Sequence, residues 1–264
     1  MSRDNNWQIN SIWAVILDEA KNIISQQGDM TDFVKSTILN HEDFKSVLSW
    51  RLASKLSSSE LKDKILSEIA FNSYNKNTDL IENAYMDLLA VRERDPACSR
   101  YIEPVLYFKG FQAIQAYRLG NYLYMKGNKD LALFLQMRAS EVFGVDIHPK
   151  AKIGRSIMID HAHSIVIGET AVVGNNVSML HSVTLGGTGK DKGDRHPKIG
   201  DGVLIGAGAS VLGNISIGRC SKVASGSVVL ADVPEFKTVA GVPAKVVGPS
   251  GCDQPSVQMD HKLS

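Results

Sequence analysis

Apolar residues in the first 140 positions recur at helical spacing. Ile12, Val15, Ile16 and Ile23 stand three, four and seven residues apart, and Leu61, Ile65 and Ile69 follow at intervals of four. Each set lines one side of a helix with 3.6 residues per turn. Ser57 followed by Glu60 fits a capping box and predicts a helix start at that point. The pattern returns over 81–91, 108–124 and 131–143. Pro96 and Pro104 bracket a break, so Arg94-Asp95-Pro96 is expected on a connection between helices. Residues 1–143 therefore read as an all-α N-terminal domain.

After Phe143 the rhythm changes to sixes. Ile147, Ile153, Ile159 and Ile165 form one run, and Ile167, Val173, Met179 and Leu185 a second. The third is Ile199, Ile205, Val211, Ile217, Val223 and Val229. A period of six is neither helical nor a simple alternation. It is the pattern of a parallel β-helix of hexapeptide repeats, with three short strands closing a triangular coil of about 18 residues. The aliphatic residue points inward. The small residue that often follows it, as at Gly168, Gly200 and Gly206, is expected to let the chain turn a corner. The repeats span 144–248, and 249–264 read as a flexible tail.

The lattice slips twice. Ile159 to Ile167 is eight residues, which inserts two around Asp160-His161-Ala162-His163-Ser164. Leu185 to Ile199 is fourteen, so about eight residues, roughly 187–196, must leave the prism as a loop. A packed coil admits insertions only outward. Both slips carry histidine.

Composition narrows the setting. The chain has 264 residues, 44% hydrophobic and 22% charged, with a net charge of +1. That balance gives no general electrostatic case for nucleic acid or an anionic membrane. Cys98, Cys220 and Cys252 are scattered, which argues against a disulfide framework or a thiolate zinc site. No secretory leader or membrane-length apolar run is evident, and a cytoplasmic protein is the expectation.

Five of the seven histidines (His148, His161, His163, His181, His196) fall within 49 residues. One reading is a metal site, as in gamma-class carbonic anhydrases built on a similar scaffold. His161 and His163, two apart, would share a face of a regular strand. The other reading is acid–base chemistry. A neutral imidazole can take a proton from a hydroxyl, given a carboxylate to hold its orientation. Asp146 precedes His161 by fifteen residues, a little under one coil, so the two are expected as neighbours on the stack. Asp160, adjacent to His161, is expected to point elsewhere and to suit substrate binding. Gly186-Gly187-Thr188-Gly189-Lys190 offers backbone N–H groups to an oxyanion, without the spacing of a P-loop. Arg195 is a natural clamp for a carboxylate. A metal-dependent hydratase and a non-catalytic scaffold remain the competing classes.

Several stretches carry a family resemblance. They are RERDPA (92–97), LYFKGFQAIQAYR (106–118), VDIHPKAKIG (145–154), IDHAHSIVIGETAVVG (159–174), SVTLGGTGK (182–190) and GDRHPKIG (193–200). GAGASVLGNISIG (206–218) and AGVPAKVVG (240–248) follow. Together they resemble the serine O-acetyltransferases from about residue 7 to 248. The resemblance implies a left-handed β-helix. It implies direct acetyl transfer from acetyl-CoA to L-serine, the first step from serine to cysteine, in a site between β-helices of a homotrimer. His161 would be the general base and Asp146 its orienting partner. Asp95 and Asp160 would hold the serine ammonium, and Arg195 its carboxylate, helped by His196. The backbone near Gly187 would face the oxyanion, with the CoA arm near Thr188, Ala207, Ala224 and Ser225. No metal would be required. L-Cysteine, with the same ammonium and carboxylate as serine, would bind there as a feedback inhibitor. The helical domain would join two trimers into a hexamer.

Two features depart from the family pattern. HATG is replaced by His161-Ala162-His163-Ser164, which adds His163 near the site without a role. Many members end in an isoleucine that enters the active site of O-acetylserine sulfhydrylase. The resemblance implies that partner, but this chain has Ser264 in place of the isoleucine.

Overall fold

The computed structural model describes residues 3–189 and 192–262. Eight helices come first: α1 (Arg3–Gln26), α2 (Thr31–Val34), α3 (Phe44–Leu56), α4 (Asp63–Lys76), α5 (Asp79–Arg94), α6 (Ile102–Leu106), α7 (Lys109–Met125) and α8 (Lys129–Phe143). Ile12, Ile16 and Ile23 are buried as their spacing predicts, but Val15 of the same set is exposed. The capping box at Ser57 does not form. Ser57 instead closes α3, Ser58 Oγ accepts the Glu60 and Leu61 N–H groups in a turn, and α4 starts only at Asp63. The buried stripe is displaced by one residue from the predicted one. Leu66, Ala70 and Tyr74 face the core, and Ile65 is 50% exposed. The break bracketed by Pro96 and Pro104 does form: α5 ends at Arg94, residues 95–101 connect it to α6, and Pro104 lies in the first turn of α6, where no intrahelical N–H is needed.

Gly144 ends α8 with φ 70°, and the solenoid follows. Its strands stack into three sheets. Sheet I contains β1 (Val145–Ile147), β4 (Ile165–Ile167), β7 (Thr184–Gly186), β10 (Ser210–Leu212) and β13 (Val228–Val229). Sheet II contains β2 (Lys152–Ile153), β5 (Val172–Val173), β8 (Lys198–Ile199) and β11 (Ser216–Ile217). Sheet III contains β3 (Met158–Ile159), β6 (Ser178–Met179), β9 (Leu204–Ile205), β12 (Lys222–Val223), β14 (Lys237–Gly241) and β15 (Ala244–Pro249). All neighbours are parallel except the closing hairpin of β14 and β15. Thirteen of the fourteen lattice positions are buried, and Ile153 is partly so.

Register makes the slips measurable. Ile159 pairs with Met179, 20 residues on, and Met179 with Ile205, 26 on. Ile205 pairs with Val223 after the regular 18. The extra residues sit at corners, where the prism has an outside.

The glycines that follow the lattice residues have a different reason from the one expected. Gly168 and Gly206 do not adopt left-handed backbone. A Cβ on Gly206 would stand 2.5 Å from Ser225 N of the next coil, so the position is glycine because the coils approach closely. At many corners the left-handed residue comes two places later, at Ser156, Asn176, Gly202 and Cys220 between sheets II and III and at Gly208 and Gly226 between sheets III and I.

Helices α5, α7 and α8 dock on the solenoid. Tyr117 Oη donates to Ala151 O at 2.6 Å, and burial raises its pKa. Residues beyond 248, expected as a flexible tail, lie against the molecule up to 262. The short α9 (Pro255–Gln258) packs on α5, β6 and β9, and Met259 packs on the cluster of Val91, Cys98 and Met158. Ser264 and Lys190 lie outside the described residues.

Candidate active site

The coil register sorts the candidate residues into two groups, on the two corners that flank sheet I. At the III–I corner, the pairing of β3, β6, β9 and β12 stacks His161, His181, Ala207 and Ser225 in one column. Ala224 precedes Ser225 on the same turn. At the I–II corner lie His148, Gly168, Gly187, Thr188, Arg195 and His196.

A cleft of about 380 Å³ opens at the foot of the first column, between α5, α7 and β3. Its walls bring together Asp95, Lys109, Asp160 and His161, with Phe108 and Met158 among the apolar residues. Asp95 sits there because α5 ends at Arg94. One of its oxygens accepts the Ala97 N–H at 2.8 Å, which fixes the turn. Asp160 and His161 sit there because β3 stops at Ile159 and the two inserted residues form a tight turn. His161, Ala162 and Ser164 have φ of 57°, 50° and 56°. This turn corrects two expectations drawn from strand alternation. Asp160 does not point away from its neighbour, since Asp160 Oδ2 lies 3.6 Å from His161 Nε2. His161 and His163 do not share a face. The His161 ring meets His181 edge-on at 5.8 Å, whereas His163 Nδ1 accepts from Lys109 Nζ at 2.8 Å. Burial lowers the Lys109 pKa.

The expected pairing of Asp146 with His161 is absent among the described contacts. The first coil is 20 residues, so Asp146 stands opposite Val166 rather than His161. Its carboxylate accepts from Gln136 Nε2 at 2.6 Å. The two remain near in the fold: Gly144, two residues before Asp146, abuts Ala162, His163 and Ser164.

At the I–II corner, Thr170 anchors the returning end of the loop. Its Oγ1 accepts from the Arg195 and His196 N–H groups at 3.0 and 3.2 Å. Lys198 Nζ adds bonds to Asp194, His196 O and Thr170 O. Arg195 Nη2 donates to Glu169 Oε2 at 2.9 Å. Glu169 also accepts from Lys150, and the two cations lower its pKa to about 2. His196 is 7% exposed, and its Nδ1 accepts the Thr170 N–H at 3.2 Å. That fixes the neutral ring with the proton on Nε2, a donor rather than a base. Burial and Arg195 hold its pKa below 6.5. His148, in the same corner two coils earlier, is lowered as well, chiefly by burial.

Gly187 and Thr188 start the loop on this side. Gly187 abuts Arg195, and Thr188 Cγ2 lies against Gly213. Within one chain they stand across sheet I from Ala207, Ala224 and Ser225. Among the described residues no three His, Cys, Asp or Glu side chains converge as a metal would need.

Sequence reasoning passed over Lys109, Glu169, Thr170 and Gln136. Lys109 was within a motif already quoted. His181 was counted only as a possible metal ligand, although it follows His161 by one 20-residue coil. Glu169 and Thr170 also lay within a quoted motif, but spacing gave them no role, since their partners come from the loop's return.

Comparison with known proteins follows the same division of the chain. The family model for "Serine acetyltransferase, N-terminal" matches residues 12–116, and the bacterial transferase hexapeptide (six repeats) model matches 196–231. A serine acetyltransferase of Salmonella typhimurium is 51% identical over 97% of this chain and 94% of its own length. A serine acetyltransferase structure from Vibrio cholerae aligns with TM-score 0.95 at 47% identity, covering 96% of this chain and 98% of that one. A serine acetyltransferase in complex with cysteine aligns at TM-score 0.94 and 47% identity, covering 96% and 99%. One from Brucella abortus in complex with coenzyme A aligns at 0.91 and 48%, covering 93% and 98%. The solenoid is thus the left-handed β-helix of hexapeptide-repeat transferases. The chain belongs to the serine acetyltransferase family.

Proposed function

We propose that the cleft between α5, α7 and β3 holds L-serine while acetyl-CoA lies along the III–I corner. The observation that carries this reading is the cleft's donor set. Two carboxylates, Asp95 and Asp160, flank a histidine that is 69% exposed, at the foot of a column of small residues. The carboxylates suit an ammonium, and His161 suits a hydroxyl proton. The column of Ala207, Ala224 and Ser225 leaves room for the CoA arm.

The serine oxygen attacks the thioester carbon as His161 takes its proton. The carbon–sulfur bond then breaks, and the CoA thiolate leaves with that proton. No redox partner is consumed. Backbone N–H groups at Gly187 and Thr188 are proposed to face the oxyanion, and the Arg195 guanidinium with the His196 Nε2–H to hold the serine carboxylate. One of two carboxylates steadies the imidazolium. Asp160 is in ion-pair range, whereas Asp146 would have to exchange its Gln136 bond for one to the ring. No step here requires a metal.

Because the two groups of residues flank opposite edges of sheet I, a complete site needs the III–I corner of one copy against the I–II corner of another. The outward Val166 between them, 42% exposed, suits such packing, and a homotrimer, or a dimer of trimers through the helices, is the assembly we propose. L-Cysteine is proposed to bind the same ammonium and carboxylate positions and to inhibit competitively with serine.

The test is serine-dependent release of CoA from acetyl-CoA. His161→Ala should lower kcat by about 10²-fold or more while CoA binding persists. Near-native kcat in that variant would refute the assignment of the base. Mixing His161→Ala with Arg195→Ala chains should restore part of the activity if sites form between copies.

A further inference from the structure

The two carboxylates read here as the ammonium holders come from different parts of the chain. Asp95 caps α5, and Asp160 follows β3 of the first coil. Their separation is set where α5 and α7 meet the II–III corner at residues 154–157. Three backbone groups of that four-residue corner bond to buried side chains from the helices. Arg118 Nη2 donates to Gly154 O at 2.7 Å, Arg94 Nη1 donates to Ser156 O at 3.0 Å, and Ile157 N–H donates to Asp87 Oδ1 at 2.9 Å.

Arg94 is the one of these nearest the cleft. It is bonded covalently to Asp95, and it is only 4% exposed. Its guanidinium also reaches the second coil, with Nη1 to Ser178 Oγ at 3.1 Å and Nη2 to Asn176 Oδ1 at 3.3 Å. Ser156 and Asn176 are the left-handed residues of the II–III corners of successive coils, with φ of 59° and 55°. A planar fork that bonds both coils fixes their stacking and the end of α5 in one unit. One peptide link carries that position to Asp95, and four residues carry it along β3 to Asp160.

We propose that Arg94 is a positioning residue for amino-group recognition. By fixing the separation of Asp95 and Asp160 it sets the affinity for the ammonium of serine. The proposal rests on the reading of those two carboxylates as ammonium holders.

The experiment uses the full chain with L-serine and acetyl-CoA. Arg94→Met should raise the serine KM about 30-fold, and Arg94→Lys by about fivefold, since the charge remains but the fork is lost. The acetyl-CoA KM should stay within about twofold, because the CoA column lies on another corner, and the inhibition constant of L-cysteine should rise in step with the serine KM. A merely structural role would instead lower kcat with the active fraction and leave both KM values in place. If Arg94→Met does not fold, the double variant Asn176→Gly/Ser178→Ala keeps Arg94 but removes its second-coil bonds, together with the Ser178 Oγ bond to Ser256 O, and should raise the serine KM about fivefold. A folded variant of either kind with a serine KM within about twofold of native overturns the proposal. Asp95→Asn separates the two readings. If it leaves the serine KM unchanged, the ammonium reading fails and takes this proposal with it. If it raises the KM while the Arg94 variants do not, only the positioning role falls.

Discussion

One methyl group at position 168 should disable the carboxylate end of the proposed serine site. A Cβ there would stand 2.0 Å from His196 Nε2 and 2.1 Å from its Cδ2. Ordinary contact needs about 3.5 Å, so the ring must retreat by roughly 1.5 Å. It cannot do so freely. Its Nδ1 is held by the Thr170 N–H at 3.2 Å and lies 2.8 Å from Thr170 Oγ1. Alanine itself fits the backbone, because φ at Gly168 is not left-handed. Losing two hydrogen bonds at about 1 kcal/mol each gives Gly168→Ala a stability loss of about 2 kcal/mol. A donor misplaced by more than 1 Å should lower kcat/KM for serine by about 100-fold. Thermal midpoints and steady-state kinetics of the variant would check both numbers. Gly218→Ala is the control, since its Cβ would stand 2.4 Å from Glu235 N, away from both halves of the site. It should lose stability and keep its serine kinetics. A folded Gly168→Ala enzyme with serine kcat/KM within about twofold of native would refute the role given to His196.

The remaining predictions concern charge. Asp146→Asn and Asp160→Asn should separate orientation from binding: loss of the orienting carboxylate lowers kcat, and loss of an ammonium holder raises the serine KM. Identical kinetic signatures for the two would count against that division. Stability should also fall as the pH drops below about 6.5. His148 and His196 have folded pKa values lowered from 6.5, chiefly by burial, so the unfolded chain takes up their protons first. Their contribution is present above that pH and is lost as the pH falls toward the folded values. Thermal midpoints between pH 8 and 5.5 would show it, and the decline should be smaller in His148→Asn. An equal decline in that variant would remove His148 from the account.

The solenoid was legible because its lattice is a hard constraint. An inward position every six residues either carries an aliphatic side chain or opens the core. The departures from that count fall at the two corners that carry the candidate residues. The helices were less legible at their ends. Ser57 and Glu60 have the spacing of a capping box, but Ser58 competes with a turn that delays α4 to Asp63. Side-chain directions at the slips could not be read at all. Alternation fails once three residues of a five-residue turn adopt left-handed backbone, and Asp160 therefore faces His161. Glu169 and Thr170 escaped notice because their role depends on where a loop returns, which spacing does not encode. The resemblance supplied the substrate, which the arithmetic could not.

The column of His161, His181, Ala207 and Ser225 is a graduated scale. Each mark is one coil, and three steps of about 4.8 Å place the far mark about 14 Å from the base. In the proposed reading, the length of carrier arm that delivers a thioester to His161 is counted in whole coils rather than tuned by any one side chain. Point substitution along the column can roughen or smooth the track, but only gain or loss of a coil can change its length. A carrier with an arm shorter by a few ångströms would have no intermediate mark on which to settle.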